Sequence, residues 1–343
     1  MFQPKYTVTN ALLANIKRIA EVVTSLNKRR FPHVVLLALE QTAREVSAHT
    51  STSIEGNPLP LTDVKRILKQ APAHVRDSER EVLNYNEVLL ALKKQTDAGV
   101  PAVDLETVLR THGLVTQRLL PRSASGALRT DPVFVNDPKV GQTIFWPPDY
   151  ADVPRLLREL LVFTVTQRDK LDPLILAGIF HKQFVLIHPF MDGNGRTVRL
   201  LTTLLLGALG INIFHLFSFE RYYNANVTKY FLTVGERGNF YELDVDFTSW
   251  LEYFTDGVFD ELLRVKGLLE KSAASPASGL KEHHRAILTY LERHGSITDA
   301  IYAHLVDRAK PTRALDLRFL LDQKMIERHG RGRATYYALK NET

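Results

Sequence analysis

The sequence predicts a mainly α-helical protein with one small β-hairpin and a separate C-terminal unit. Three observations predict it. Apolar residues recur at helical spacing through most of the chain. Two almost wholly apolar segments, 173–187 and 197–209, flank a short polar loop. The stretch 271–279, Lys-Ser-Ala-Ala-Ser-Pro-Ala-Ser-Gly, then interrupts the pattern with the small, polar, proline-broken composition of a linker. At 343 residues the chain suits two or three domains, divided here as 1–110, 111–270 and 280–343, with 271–279 as the linker. Hydrophobic residues at 45% and charged residues at 24% are ordinary for a soluble globular protein. The chain has no cysteine, which excludes disulfides and thiolate metal sites and suits a cytoplasmic setting. The N-terminus lacks a basic start followed by an unbroken apolar run, so no signal peptide is expected, and no stretch has the length of a membrane span without charges.

In chain order, residues 7–28 place Leu12, Leu13, Ile16, Ile19, Val23 and Leu26 at helical spacing, with Thr9 or Asn10 as cap. A second helix follows Pro32 and stops at Gly56 and Pro58. Its last turn carries Glu55, whose charge opposes the helix dipole unless it meets a cation. Further helices are expected over Leu61–Lys69 with Thr62 as cap, over Glu79–Lys94, and over Val103–Leu120 with an unassigned His112 inside. Residues 121–148 are rich in Pro, Gly, Ser and Asp and read as an irregular hairpin with extended runs near Phe134 and over Thr143–Trp146. A helix starts near Val153, another is opened by Pro173, and a third follows the polar loop. Ser218 opens a helix that carries Asn226 and Tyr230 on one face, and Phe240–Leu268 closes the bundle.

The polar loop, 188–199, reads His-Pro-Phe-Met-Asp-Gly-Asn-Gly-Arg-Thr-Val-Arg. A polar loop between two core helices is costly unless it has a task. Gly193 and Gly195 let backbone N–H groups turn toward one point, and the following helix aims its positive end there, which makes an anion cradle. Arg196 in the first helical turn is electrostatically unfavourable unless an anion sits nearby, and Arg199 follows one turn on. Asp192 is the kind of oxygen ligand that Mg²⁺ takes when phosphates complete the shell. His188 titrates near neutral pH and is a candidate base. The loop thus reads as a seat for Mg²⁺ and a polyphosphate. Zinc at His181 and His188 fails on spacing and lacks a third ligand.

At every specified position the loop matches His-x-Phe-x-Asp/Glu-Gly-Asn-Gly-Arg-x-x-Arg, and so resembles the Fic-domain proteins of the Fic/DOC superfamily. The resemblance covers roughly 110–260. It implies a Fic-type helical bundle that moves AMP from ATP, with Mg²⁺, to a Ser, Thr or Tyr hydroxyl of a protein, possible self-modification and AMP removal included. It implies His188 as base, Asp192 on the metal, and Gly193, Asn194, Gly195, Arg196 and Arg199 on the phosphates. Phe190 anchors the loop in the core. Ser51, Glu55 and Gly56 resemble the family's inhibitory helix, whose glutamate pairs with the second arginine, here Arg199. The hairpin corresponds to a flap that holds the target by strand addition, with Gly126 and Arg129 in the turn before it. Asn226 and Tyr230 correspond to adenosine-pocket residues.

Residues 280–343, three expected helices and a hairpin with its tip at 330–332, resemble a winged helix. They hold 12 Lys and Arg against 8 Asp and Glu, so DNA, a protein partner or a second copy of the chain are all open as partners, while no membrane is expected. The rival readings are a Fic transferase with another phosphorylated donor, a DNA-binding transcriptional regulator whose Fic domain is weakly active or differently specific, and a plain helical scaffold.

Overall fold

A computed structural model describes residues 2–29, 31, 33–97, 103–136, 141–211, 213, 215–274, 281–323 and 325–340. The chain divides into two compact units, 1–30 with 36–267, and 31–35 with 268–343. None of the helices is long and apolar enough to cross a membrane among the described residues.

In the first unit, two consecutive helices form the centre. α7 (Pro173–Ile187) and α8 (Asn194–Ala208) pack against each other and are joined by the polar loop. α7 is buried from Leu174 to Ile187 on every face except at Val185, as expected for a helix apolar all round. Its two charged or titratable members are satisfied internally. Lys182 Nζ meets Glu236 at 2.7 Å and the Thr233 carbonyl at 2.9 Å, while His181 is hydrogen-bonded on both ring nitrogens.

The other helices cover this pair. α1 (Asn10–Asn27) starts where Thr9 accepts from Leu12 N. α2 (His33–Ile54), α3 (Leu61–Lys69), α4 (Asp77–Asp97) and α5 (Leu105–Val115) follow. α4 and α5 pack on α8, and α6 (Val153–Thr166) packs on α7. The chain then runs through α9 (Glu220–Ala225) and α10 (Val227–Val234) to α11 (Thr248–Ala274). The N-terminal segment is tied along α11: Phe247 N donates to Lys5 O, Thr7 N to Thr248 Oγ1, and Asn15 Nδ2 to Asp256 Oδ1 at 2.7 Å. α11 also approaches α7 closely, with Trp250 Nε1 donating to Gly178 O at 2.7 Å.

Several element boundaries differ from the expected ones, each for a local reason. α3 is preceded by Pro60, so Thr62 lies inside it and is not its cap. α5 is shorter than Val103–Leu120. Asp104 caps its start by accepting from Thr107 N at 2.7 Å, and Asn84 captures the carbonyls of Val115 and Gln117 at its end. The helix expected from Phe240 begins at Thr248, because Phe240–Glu242 is a 3₁₀ turn and Asp246 accepts from Thr248 N. α11 extends to Ala274, through the first residues of the expected linker, while 275–279 lie outside the described residues.

The hairpin gains a strand. β1 (Val135–Asn136) pairs antiparallel with β2 (Thr143–Trp146), and β3 (Gly238–Asn239) pairs with β2 in parallel. β2 is therefore central and, among the described residues, β1 keeps a free edge. The expected tip at 137–140 lies outside the described residues.

The second unit holds α12 (Glu282–His294), β4 (Ser296–Ile297), α13 (Asp299–Leu305), α14 (Lys310–Asp322), β5 (Ile326–His329) and β6 (Tyr336–Leu339). Its sheet is antiparallel in the order β4-β6-β5, over a core of Ile287, Leu291, Ile297, Tyr302, Leu320 and Ile326. Two of its arginines are consumed internally, Arg313 on Asp299 and Arg308 on Asp316.

Gly178 marks a tight contact between α7 and α11. A Cβ there would stand 2.6 Å from Leu251 Cδ2 and 3.2 Å from Phe254 Cδ1. Gly178→Ala is expected to cost about 1–3 kcal/mol by overpacking, read as a lower urea midpoint; an unchanged midpoint would show that the α7–α11 contact yields freely.

Candidate active site

The loop between α7 and α8 holds an unusual backbone. His188 ends α7 in the left-handed region, φ 51°, and Gly193 precedes α8 at φ 76°. A non-glycine residue in that region costs about 1–2 kcal/mol and persists only where its surroundings hold it. Arg129 supplies much of the hold. Its Nε donates to His188 O at 2.8 Å, its Nη1 to Asp131 O, its Nη2 to Pro148 O, and its backbone N to Pro189 O.

Phe190 carries the loop into the core with no exposure, as expected for its anchor. It stacks on His112, ring centroids 3.6 Å apart and planes at 1°. Gly126 N donates to His112 Nδ1 at 3.0 Å, which places the ring proton on Nε2, from which it donates to Asp192 O at 3.0 Å. His112 thus grips the loop from its face and its edge. Burial pulls its pKa down to about 4, so the ring is neutral at neutral pH.

Asn194 closes the loop on itself. Its Oδ1 accepts from Phe190 N at 2.9 Å and its Nδ2 donates to Phe190 O at 2.8 Å. The side chain is buried and engaged with the loop's own backbone.

Beneath the loop, α8 buries two arginines. Arg196 is tied by Nη1 to Glu81 at 2.9 Å and by Nη2 to Asp192 at 3.0 Å. Arg199 has no exposed surface. Its Nε donates to Ser51 Oγ at 2.8 Å and its Nη2 to Ser51 O at 2.9 Å, while Glu55 Oε1 lies 2.8 Å from Nη2. Burial alone would lower its pKa, but Glu55, with Tyr230 and Tyr85, reverses the sign and holds the guanidinium charged. Arg199 Nη1 and Arg196 Nε are buried without a hydrogen-bond partner among the described residues.

Ser51, Glu55 and Gly56 therefore stand where the second arginine is. α2 ends at Ile54, and Gly56 turns the chain away at φ 94°. Gly195 makes room for the pair, since a Cβ there would fall 2.2 Å from Glu55 Oε1. The turn is held from behind by Asn57, whose Nδ2 donates to Glu81 Oε2 at 2.7 Å. Glu81 so links the end of α2 to Arg196, a connection for which the sequence carries no local signal.

His188 Nδ1 lies 3.3 Å from Val185 O, which makes Nδ1 the protonated nitrogen and leaves Nε2 as acceptor. Burial, opposed by that carbonyl and reinforced by Arg129, moves its pKa below the ordinary imidazole value. Asp192 is 59% exposed at its side chain, with one oxygen on Arg196. A single accessible carboxylate is a fit for Mg²⁺ that takes its remaining ligands from phosphates and water.

Asn226 and Tyr230 do not share a helical face. Asn226 breaks the chain between α9 and α10 (φ −147°, ψ 76°) and caps α10 by accepting from Lys229 N at 3.0 Å. Tyr230 is buried, stacked on Tyr223 at 4.5 Å, with its hydroxyl 3.1 Å from His181 Nε2. Burial raises its pKa to about 12. It is a core residue, and the expectation that it shares a helical face with Asn226 fails.

The site is thus a strained loop with a half-buried imidazole and an accessible carboxylate, set over two buried arginines at a helix N-terminus. Residues 102–206 match the Fic/DOC family, and the chain carries a Fic/DOC domain. The protein adenylyltransferases Fic of Drosophila melanogaster and Drosophila simulans are each 31% identical over 219 residues, 58% of this chain and 42% of the relative. The chain therefore spans less than half the length of these relatives. A Fic family protein from Desulfovibrio desulfuricans has the same fold across 99% of both chains, with TM-score 0.67 and 22% identity. Fic-1 of C. elegans matches 76% of this chain and 73% of its own with TM-score 0.59 and 21% identity.

His112 generates a pH prediction. Its folded pKa, about 4, lies below the ordinary 6.5, so the folded state binds fewer protons between these values. Its contribution to stability is complete above about pH 6.5 and is lost as pH falls toward about 4, with roughly 2 kcal/mol gone by about pH 5. His112→Phe keeps the stacking and removes the titration. Urea unfolding at about pH 7 and pH 5 should show a smaller acid loss in the variant; equal losses would refute the assignment.

Proposed function

We propose that this chain is a protein adenylyltransferase that transfers AMP from ATP to a Ser, Thr or Tyr hydroxyl of a protein. The observation that carries the reading is the buried Arg196–Arg199 pair beneath the loop, two guanidiniums with unsatisfied N–H groups at the N-terminus of α8. His188 Nε2 takes the proton of the target hydroxyl. The hydroxyl oxygen forms a bond to the α-phosphorus, and the bond from that phosphorus to pyrophosphate breaks. Backbone N–H groups around Gly193–Gly195 and the two arginines face the phosphate charge. Asp192 holds Mg²⁺, which when bound neutralises the departing phosphates. The free edge of β1 takes the target's extended segment.

Glu55 is the brake in this reading. It occupies Arg199, the partner that the γ-phosphate requires. A charge-assisted bond is worth about 1.5–3 kcal/mol, so its removal is expected to raise activity roughly tenfold to a hundredfold. We also read residues 281–340 as a winged helix, which the order of its helices and the β4-β6-β5 sheet supports. DNA contact is the weaker part of that reading, because Arg308 and Arg313 are spent within the unit.

The test is labelling with α-labelled ATP and Mg²⁺, comparing wild type, Glu55→Gly and Glu55→Gly/His188→Ala, with cell extract as target. Label should rise in the first variant and vanish in the second. No label in any of the three would overturn ATP as donor. Glu55→Gly should also unfold at a lower temperature without nucleotide, since it leaves a buried guanidinium without its carboxylate, and ATP should restore the midpoint.

A further inference from the structure

The second unit contains a cluster that the transferase reading does not use. His283 and His284 lie in the first turn of α12, and Asp316 lies on α14. His283 Nε2 stands 3.2 Å from Asp316 Oδ1 and His284 Nε2 stands 3.4 Å from the same oxygen. Among the described residues these three are the group whose His and carboxylate atoms converge, all within 4.8 Å of one another.

Convergence alone would suit a hydrogen-bonded ion cluster, but the geometry differs from one. Neither Nε2 meets full hydrogen-bond geometry, although each lies close to Asp316, and His284 Nδ1 lacks a partner among the described residues with the His284 side chain only 7% exposed. Leaving buried imidazole nitrogens unsatisfied costs on the order of 1–3 kcal/mol per group. Three donors each bonded to one zinc ion at about 2.0–2.1 Å in a tetrahedron stand about 3.3 Å apart along its edges. The two measured N···O separations agree with that spacing.

The surroundings have the form of a metal's outer shell. Asp316 Oδ2 accepts from Tyr302 at 2.7 Å and meets Arg308 Nε at 2.8 Å, so the carboxylate is turned with Oδ1 toward the histidines. Arg308 also reaches Oδ1 at 3.2 Å and His283 Nδ1 at 3.3 Å. It is a cation that opposes a metal there, as Lys281 does from farther away, and at 28% side-chain exposure it has solvent to turn into.

We propose that His283, His284 and Asp316 form a binding site for a divalent transition metal ion of the zinc type, joining the first turn of α12 to α14. Two imidazoles and one carboxylate select such an ion over Mg²⁺ or Ca²⁺, which prefer oxygen ligands throughout. Occupancy turns Arg308 outward, leaves Tyr302 on Oδ2, and ties two helices of this unit through an ion.

The experiment uses the untagged, chelator-treated full chain. Calorimetric titration with Zn²⁺ should show one tight site per chain, with Mg²⁺ failing to compete. His283→Ala/His284→Ala should weaken that site on the order of a hundredfold or more. Helix content by circular dichroism checks that the variant folds. Wild type loaded with Co²⁺ gives an independent reading, since X-ray absorption should report two imidazoles in the metal's shell. Equal Zn²⁺ affinity in wild type and a folded variant, or a Co²⁺ shell without two imidazoles, would overturn the proposal.

Discussion

The buried guanidinium of Arg199 is the constraint on which the first unit depends. A full charge with no exposed surface, in a helix whose body is mostly Leu, Val and Thr, costs several kcal/mol unless it is paired and hydrogen-bonded. Ser51 and Glu55 provide that pairing, and they arrive from a helix almost 150 residues earlier in the chain. The pairing also resolves a local conflict. A glutamate at the end of α2 opposes the helix dipole, and Arg199 supplies the cation that offsets it. Two glycines make the meeting sterically possible, Gly56 by turning the chain and Gly195 by leaving space for the carboxylate.

The loop above Arg199 is held by redundancy. His188 and Gly193 both adopt left-handed backbone within six residues, and three side chains from different directions keep them there. Arg129 holds the carbonyl of His188, His112 holds the carbonyl of Asp192 and the face of Phe190, and Asn194 staples the turn between them. Strain of this kind survives only where the surroundings over-determine it. The result is a half-buried imidazole whose Nε2 is left as an acceptor, and a carboxylate that remains accessible.

What was legible in the sequence follows the range of the physics involved. Helices α7 and α8 were readable because their apolar character is continuous, and the loop between them because polar residues there have no bland reason to be buried. The meeting of Glu55 with Arg199 was readable only through a family pattern, since nothing local predicts a contact across 144 positions. His112, Arg129 and Glu81 were not readable as site residues, because each acts through backbone groups or side chains brought close by the fold alone. A lone histidine in an amphipathic helix carries no mark of the phenylalanine that will stack on it. Asn226 and Tyr230 misled for the opposite reason: four-residue spacing implies one face only where the helix is continuous, and Asn226 is where it stops. The parallel strand at 238–239 is too short to register as a period of two.

The division of labour on Arg199 bears on how a brake at Glu55 works in the proposed transferase. Ser51 takes Nε and shares Nη2, Glu55 shares Nη2, and Nη1 has no hydrogen-bond partner among the described residues. Arg199 therefore keeps one buried donor uncommitted while Glu55 is still in place. Ser51 belongs to the body of α2, whereas Glu55 lies past its last helical residue and next to a glycine with no neighbour within 4 Å of its Cβ position. Release of the carboxylate needs rotation of one partly exposed side chain and leaves the Ser51 bonds intact. The guanidinium is then never wholly unpaired during the exchange, which keeps the barrier far below the cost of a bare buried charge. A brake built this way is set by the difference between two anions for one arginine, and not by unfolding of the helix that carries it.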